Sequence, residues 1–206
     1  MLKVWGRTNS LNVQKVMWTV AELGLAHERI DAGGAFGGLA SAAYGALNPN
    51  RLVPVLEDGA TVIWESNAIV RYLAARYGAG DLWPEDPARR SLADRWMDWQ
   101  ATTAQPALGP VFWGLVRTPP EQRDLALIER QVPVLGETMR VLDAHLATNR
   151  FVAGETLTMG DIPVGCVAWR YLNLPIARPK LPHLARWAAE LQERPGYRAH
   201  VMLPLT

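Results

Sequence analysis

Cysteine is almost absent from this chain: a single Cys166 in 206 residues excludes an intrachain disulfide framework and a Cys-x-x-Cys redox pair. Histidine is scarce too. The four (His27, His145, His183, His200) are scattered, with no two at zinc-ligand spacing, so no metal is expected and they read as surface or capping residues. An excess of charge of either sign is also missing. Twenty-one Lys and Arg against 20 Asp and Glu leave a net +1, which gives no electrostatic reason to expect a nucleic-acid or membrane partner. No apolar run approaches the length of a membrane span. Met1 to Trp5 enters a strand-like pattern without the regions of a signal peptide, so a cytoplasmic location is expected.

What is present is ordinary for a globular chain: 49% hydrophobic and 20% charged residues, enough for one domain or two small ones. The nine tryptophans are less ordinary and suggest core packing and an aromatic wall between two halves. Leu2 to Trp5 alternates as a strand, and Val13, Val16, Met17 and Val20 recur at helical spacing up to Gly24. His27 to Asp31 is expected to form a second strand. The glycine-rich Gly33 to Gly38 lacks the strand-to-helix context of a nucleotide cradle and reads as cover over a site. A short helix over Ala43 to Leu47 precedes a hairpin of Leu52 to Glu57 and Thr61 to Trp64, and a helix over Ser66 to Tyr77 closes the unit.

This β-α-β-α-β-β-α order matches a thioredoxin-like domain over residues 1–78, followed by a linker at 79–86. From residue 87 to 206 the pattern is all-helical. Asp86-Pro87 reads as an N-cap with proline behind it; Thr118-Pro119-Pro120-Glu121 reads as a capping box, and Thr158 to Asp161 has the same spacing. Leu181-Pro182 and Arg194-Pro195 bracket a last main helix.

Two short segments carry chemistry. In Val53-Pro54-Val55, proline inside a strand pattern implies an edge or a cis bond, and a cis bond would turn the Val53 amide and carbonyl outward to pair with a small peptide. In Trp64-Glu65-Ser66-Asn67, a helix opens with unpaired N–H groups suited to a carboxylate. A peptide-like ligand with a terminal carboxylate satisfies both.

Together with Ser10-Leu11-Asn12-Val13, Asn48-Pro49 and the Thr158 to Asp161 cap, these segments resemble the cytosolic glutathione transferases over essentially the whole chain. Trp5-Gly6-Arg7, Asn12 to Val16, Trp64 to Leu73 and Val116 to Glu121 are similar to a bacterial subgroup associated with small halogenated acids such as bromoacetate. The resemblance implies glutathione as co-substrate, a homodimer, and a helical domain that forms most of the electrophile site. By position it implies Glu65 and Ser66 at the γ-glutamyl end of glutathione, and Val53, flanked by Leu52 and Pro54, pairing with the cysteinyl unit. Ser10 matches the serine that meets the sulfur, and Asn12 the asparagine of some bacterial members. Arg51 departs from the glycine of many members, and Leu52 from a polar residue in some. Arg71, Arg89, Arg90, Asp94 and Arg95 read either as dimer-interface or as solvent-facing charges.

In this reading the nucleophile is the ligand's thiol, so the chain needs no catalytic cysteine. Lowering a thiol pKa by about two units takes roughly 2.7 kcal/mol; a Ser10 hydroxyl and the dipole of the helix behind it supply about 1 kcal/mol each. Read alone, Ser10 and Asn12 are helix caps; with the two downstream segments the functional reading prevails. Trp5, Arg7, Phe112, Trp113 and Arg117 are the candidates for the electrophile, the arginines as carboxylate forks or as surface ion-pair partners. Trp113 reads more readily as interdomain core than as substrate wall, and Cys166 as a small buried hydrophobe. Two alternatives stand beside conjugation: a glutathione-dependent disulfide or peroxide reductase, and a non-enzymatic glutathione-binding or partner-binding module.

Overall fold

The computed structural model describes residues 1–78, 80 and 82–206. Its first half runs β1 (Leu2–Trp5), α1 (Leu11–Glu22), β2 (His27–Ile30), α2 (Ala42–Leu47), β3 (Val55–Asp58), β4 (Thr61–Trp64) and α3 (Ser66–Tyr77). The sheet order is β2-β1-β3-β4. β1 lies parallel to β2, with Leu2 opposite His27, and antiparallel to β3, with Val4 opposite Leu56. A parallel pair needs a crossover, and α1 supplies it. The helical stripe Val13, Val16, Met17 and Val20 packs on Leu2, Val4 and Leu56 of the sheet and on Ile69 and Leu73 of α3. This is the thioredoxin-like arrangement expected. The expected strand from Leu52 is shorter, because the Val53–Pro54 peptide is cis and β3 begins only at Val55; Pro54 has no N–H to give a ladder.

The second half is all-helical. α4 (Pro87–Trp99) opens on Asp86, whose carboxylate accepts the Arg89 N–H at 2.9 Å. Without a break follow a π-helical turn (Gln100–Ala104), α5 (Gln105–Phe112) and a second π-helical turn (Trp113–Arg117). Pro106 and Pro110 have no N–H for the helical ladder, a local cause for widened turns on either side. The chain then continues through α6 (Leu125–Leu146), α7 (Asp161–Asn173), α8 (Pro182–Gln192) and α9 (Pro195–His200). Thr118 does not cap a main helix. Only a single 3-10 turn, Pro120–Gln122, follows it, and Asp124 caps α6 instead by accepting the Leu127 N–H at 2.8 Å.

α1 serves both halves. Its Trp18 is fully buried against Tyr197 of α9, with ring centroids 4.8 Å apart, and a Cβ at Gly165 of α7 would lie 2.8 Å from the indole. Of the expected linker 79–86, residues 79 and 81 lie outside the described residues; Leu82 packs into the helical core, and its carbonyl accepts the Met159 N–H at 3.0 Å. No helix among the described residues is long and apolar enough to cross a membrane.

Candidate active site

The turn from β1 into α1 is drawn close to the helix by Gly6 (φ 148°), where a Cβ would sit 2.4 Å from Val13. Ser10 occupies the cap position of α1 with an extended backbone (φ −84°, ψ 123°), yet its hydroxyl makes no capping hydrogen bond. It lines a cleft of about 260 Å³ instead. Arg7, Asn9, Asn12, Leu52 and Val53 share the near wall, and Gln105, Phe112, Trp113, Arg117 and Arg170 form the far one. Neither the N–H nor the C=O of Val53 has a protein partner among the described residues, whereas the Leu52 carbonyl accepts from both Tyr44 (2.8 Å) and Asn48 (2.9 Å). Arg51, in the position noted as departing from glycine, has φ 54°, and its guanidinium donates to the Leu39 and Ser41 carbonyls at 2.9 and 2.8 Å.

Asn12 and Gln105 also border a second hollow, of about 250 Å³, lined by Lys15, Glu65, Ser66 and Asn67. The two hollows adjoin at Asn12 and Gln105, which border both. Glu65 stands at φ 69°, a conformation that costs a residue with a side chain about 1–3 kcal/mol and that clusters at ligand sites. Ser66, buried, opens α3. Behind it the Lys15 ammonium, 2% exposed, donates to Gln100 Oε1 at 2.9 Å, Asn67 Oδ1 at 3.2 Å and Ser66 Oγ at 3.3 Å. Gln100 in turn donates to Gln105 at 2.7 Å. Burial pulls the Lys15 pKa down to about 7, with Cys166 and Glu65 acting in the opposite sense.

The cleft is rich in cations. Arg117 and Arg170 both donate to the Asn9 carbonyl, at 3.3 and 3.0 Å, and both stack on Phe112, Arg170 at 4.2 Å from the ring centre. Arg7 Nε and Arg117 Nε are buried without a protein partner among the described residues. Gly34 lets the loop pass over Arg7, since a Cβ there would meet its side chain at 2.9 Å. Burial lowers the Arg117 pKa, and the Arg7 charge adds to it; burial likewise brings Arg170 down to about 10. None of the described cleft-lining residues is a carboxylate.

Ser10, Asn12, Leu52, Val53, Arg7, Phe112, Trp113 and Arg117 therefore come together, Glu65 and Ser66 line the adjoining hollow, and Pro54, joined to Val53 by a cis peptide, lines neither. Trp5 does not join them. Strand alternation sends it away from the cleft, where its indole donates to Glu57 at 2.6 Å and lies edge-on to Tyr44. Trp113 is 61% exposed and so is not interdomain core. Cys166 is buried with its thiol pushed up to about 12 by desolvation, a packing residue. Lys15, Gln100, Gln105 and Arg170 escaped the sequence reading. The only trace was a lysine beside Val13, Val16 and Met17 in a buried stripe, and an arginine among Val167, Ala168 and Tyr171.

Residues 9–76 match the family model described as glutathione S-transferase, N-terminal domain, and residues 104–195 match the glutathione S-transferase C-terminal domain. The chain is 44% identical over 208 residues to glutathione S-transferase GstB of Escherichia coli K12, with all of both chains covered. It is 29% identical to glutathione S-transferase 3 of Zea mays, over 97% of this chain and 93% of that one. Among solved structures, the theta class glutathione S-transferase of Xanthomonas axonopodis pv. citri with glutathione bound superposes with a TM-score of 0.97 at 49% identity, covering 100% and 99% of the two chains. Its apo form gives 0.86 at 43% identity.

Proposed function

Because the chain belongs to the glutathione S-transferase family, we propose that it joins glutathione to small anionic electrophiles, α-halo acids among them. It is a glutathione transferase, with glutathione as co-substrate; the choice of electrophile is the reading advanced here. The observation that carries it is the set of three guanidinium groups, Arg7, Arg117 and Arg170, beside Ser10 in a cleft whose described lining contains no carboxylate. A neutral or cationic electrophile would leave those charges uncompensated, whereas a carboxylate meets a planar fork of donors.

The groove fits the tripeptide on its own chemistry: an uncommitted serine hydroxyl, the free backbone groups of Val53, and a buried serine backed by an ammonium. When bound, glutathione supplies the sulfur nucleophile, whose C–S bond replaces the carbon–halogen bond as halide leaves. Ser10 donates its hydroxyl hydrogen toward that sulfur and Asn12 its amide hydrogen, favouring the thiolate. Val53 aligns the cysteinyl unit, and Glu65 and Ser66 hold the γ-glutamyl end. Residues 1–78 thus bind the tripeptide, residues 87–206 supply most of the electrophile wall, and two chains assemble as a homodimer.

The test compares an α-halo acid with its amide as substrates. Arg117→Met and Arg170→Met are expected to lower kcat/KM about tenfold to a hundredfold more for the acid than for the amide, the worth of one charged hydrogen bond. Equal losses on both substrates would sink the anionic reading. Oxidised glutathione in place of a thioether would make the enzyme a reductase.

A further inference from the structure

Lys15 has no part in the reaction as described, yet it is the most costly side chain in the groove. It is a cation 2% exposed whose three hydrogens reach only the neutral oxygens of Ser66, Asn67 and Gln100, and it forms no ion pair among the described residues. A buried charge without a counter-ion is strongly disfavoured. The hollow that Lys15 lines with Ser66 and Glu65 is where a counter-ion can enter. An ammonium is donor-only, so Ser66 Oγ must accept from it, and the serine's own hydrogen is left to point elsewhere. The open side is the hollow.

We propose that Lys15 is the positioning residue and counter-charge for the carboxylate at the γ-glutamyl end of glutathione. It fixes the Ser66 hydroxyl as a donor toward that carboxylate, and the arriving carboxylate fixes the ammonium, so binding takes up one proton. This rests on the reading of Glu65 and Ser66 as the γ-glutamyl site.

The charged and titratable groups around Lys15 leave it in need of such a partner. Burial lowers it to about 7; Cys166 of α7 and Glu65 at the start of α3 oppose that, and Arg170 of α7 adds to it. The Cys166 thiol is pushed up to about 12 and is neutral near pH 7, so it brings no negative charge. Gln100 and Asn67 bring none either. A carboxylate beside Lys15 raises its pKa. Above pH 7 the free protein increasingly holds the neutral amine, so binding then draws in a proton and weakens as pH rises; well below 7 the linkage vanishes.

S-methylglutathione is the probe, because it has no thiol proton to lose. Calorimetric titration of the full chain should show Kd rising about tenfold from pH 6 to pH 8, the limit for one linked proton on a group near 7. Repeating the pH 8 titration in buffers of different ionisation enthalpy should report uptake of nearly one proton. Lys15→Met should bind with a flat pH profile and no uptake. Gln100→Glu, which gives the ammonium a resident counter-ion, should also abolish uptake. The wild-type measurement needs no variant, and absence of uptake there overturns the proposal. Weakened binding in Ser66→Ala with unchanged uptake in Lys15→Met overturns the role of Lys15 alone. Full affinity in Ser66→Ala overturns the γ-glutamyl reading beneath it.

Discussion

A serine that opens a helix ordinarily turns its oxygen to an amide two or three residues on, and Ser10 does not. Its hydroxyl is therefore available to the cleft at no cost to α1. Ser10→Ala is expected to leave thermal unfolding unchanged within about 0.5 kcal/mol, unlike the loss of a working cap. The same change, and Asn12→Ala, should raise the thiol pKa of bound glutathione by about 0.7 of a unit for each hydrogen bond of 1 kcal/mol, followed by thiolate absorbance against pH. Both variants leaving thiolate formation and turnover untouched would remove the proposed activation. These positions were readable in the sequence because their chemistry is local: a cap, a proline in a strand, a carboxylate followed by a serine. Lys15 and Arg170 were not, because each sits in an apolar helical stripe and gains its meaning from partners far along the chain. Gln100 meets Lys15 across 85 residues, and Asn9 meets Arg170 across 161.

Among the elements, α7 shows why some helix starts were legible and others not. Asp161 accepts the Thr158 N–H at 2.9 Å, the reciprocal bond of a capping box, and the same carboxylate takes the Val152 N–H and the Trp187 indole N–H, both at 3.0 Å. One side chain thereby joins the start of α7 to α8 and to the segment before it. At Thr118 a similar spacing gave no such box: the Thr118 N–H, which Glu121 would have to meet, donates instead to the Trp113 carbonyl at 2.9 Å, and Asp124 caps α6. The two π-helical turns flanking α5 had no sequence signal beyond Pro106 and Pro110. Asp161→Asn keeps the size of the side chain but replaces one acceptor with an amide donor. Either orientation of that amide faces N–H groups. A loss of about 1–3 kcal/mol in denaturant unfolding is expected at pH 8, the cost of leaving a buried donor unmet; an unchanged midpoint would show that the carboxylate is not what holds these elements together.

Taken whole, the two halves share α1, which closes the sheet on one face and buries Trp18 among the C-terminal helices on the other, with Glu22 at its end paired to Arg194 at 2.7 Å. Two domains were legible from composition and order; their shared helix was not, since Trp18 and Val20 read alike as apolar. Arg71, left open between interface and solvent, is bound within the chain by Asp94 and Asp98, both at 2.6 Å. For the homodimer we propose a contact through Val62, Trp64 and Leu92, three of the exposed large apolar side chains. Equilibrium sedimentation should give twice the chain mass of 22.8 kDa. Val62→Lys should halve it without unfolding the sheet, since the lysine would stand opposite Glu57 on β3. A monomeric wild type would end the proposal.

The Asn9 carbonyl, gripped by Arg117 and Arg170, has a consequence for how such an enzyme can change. The groups offered to the electrophile also anchor the loop that carries Ser10. A substitution at 117 or 170 that admits a new substrate must also shift the sulfur's cradle, so selectivity and turnover are inherited together. Trp113, across the same cleft, is not independent of that anchor either, because the Arg117 guanidinium faces its ring at 5.9 Å from the centre.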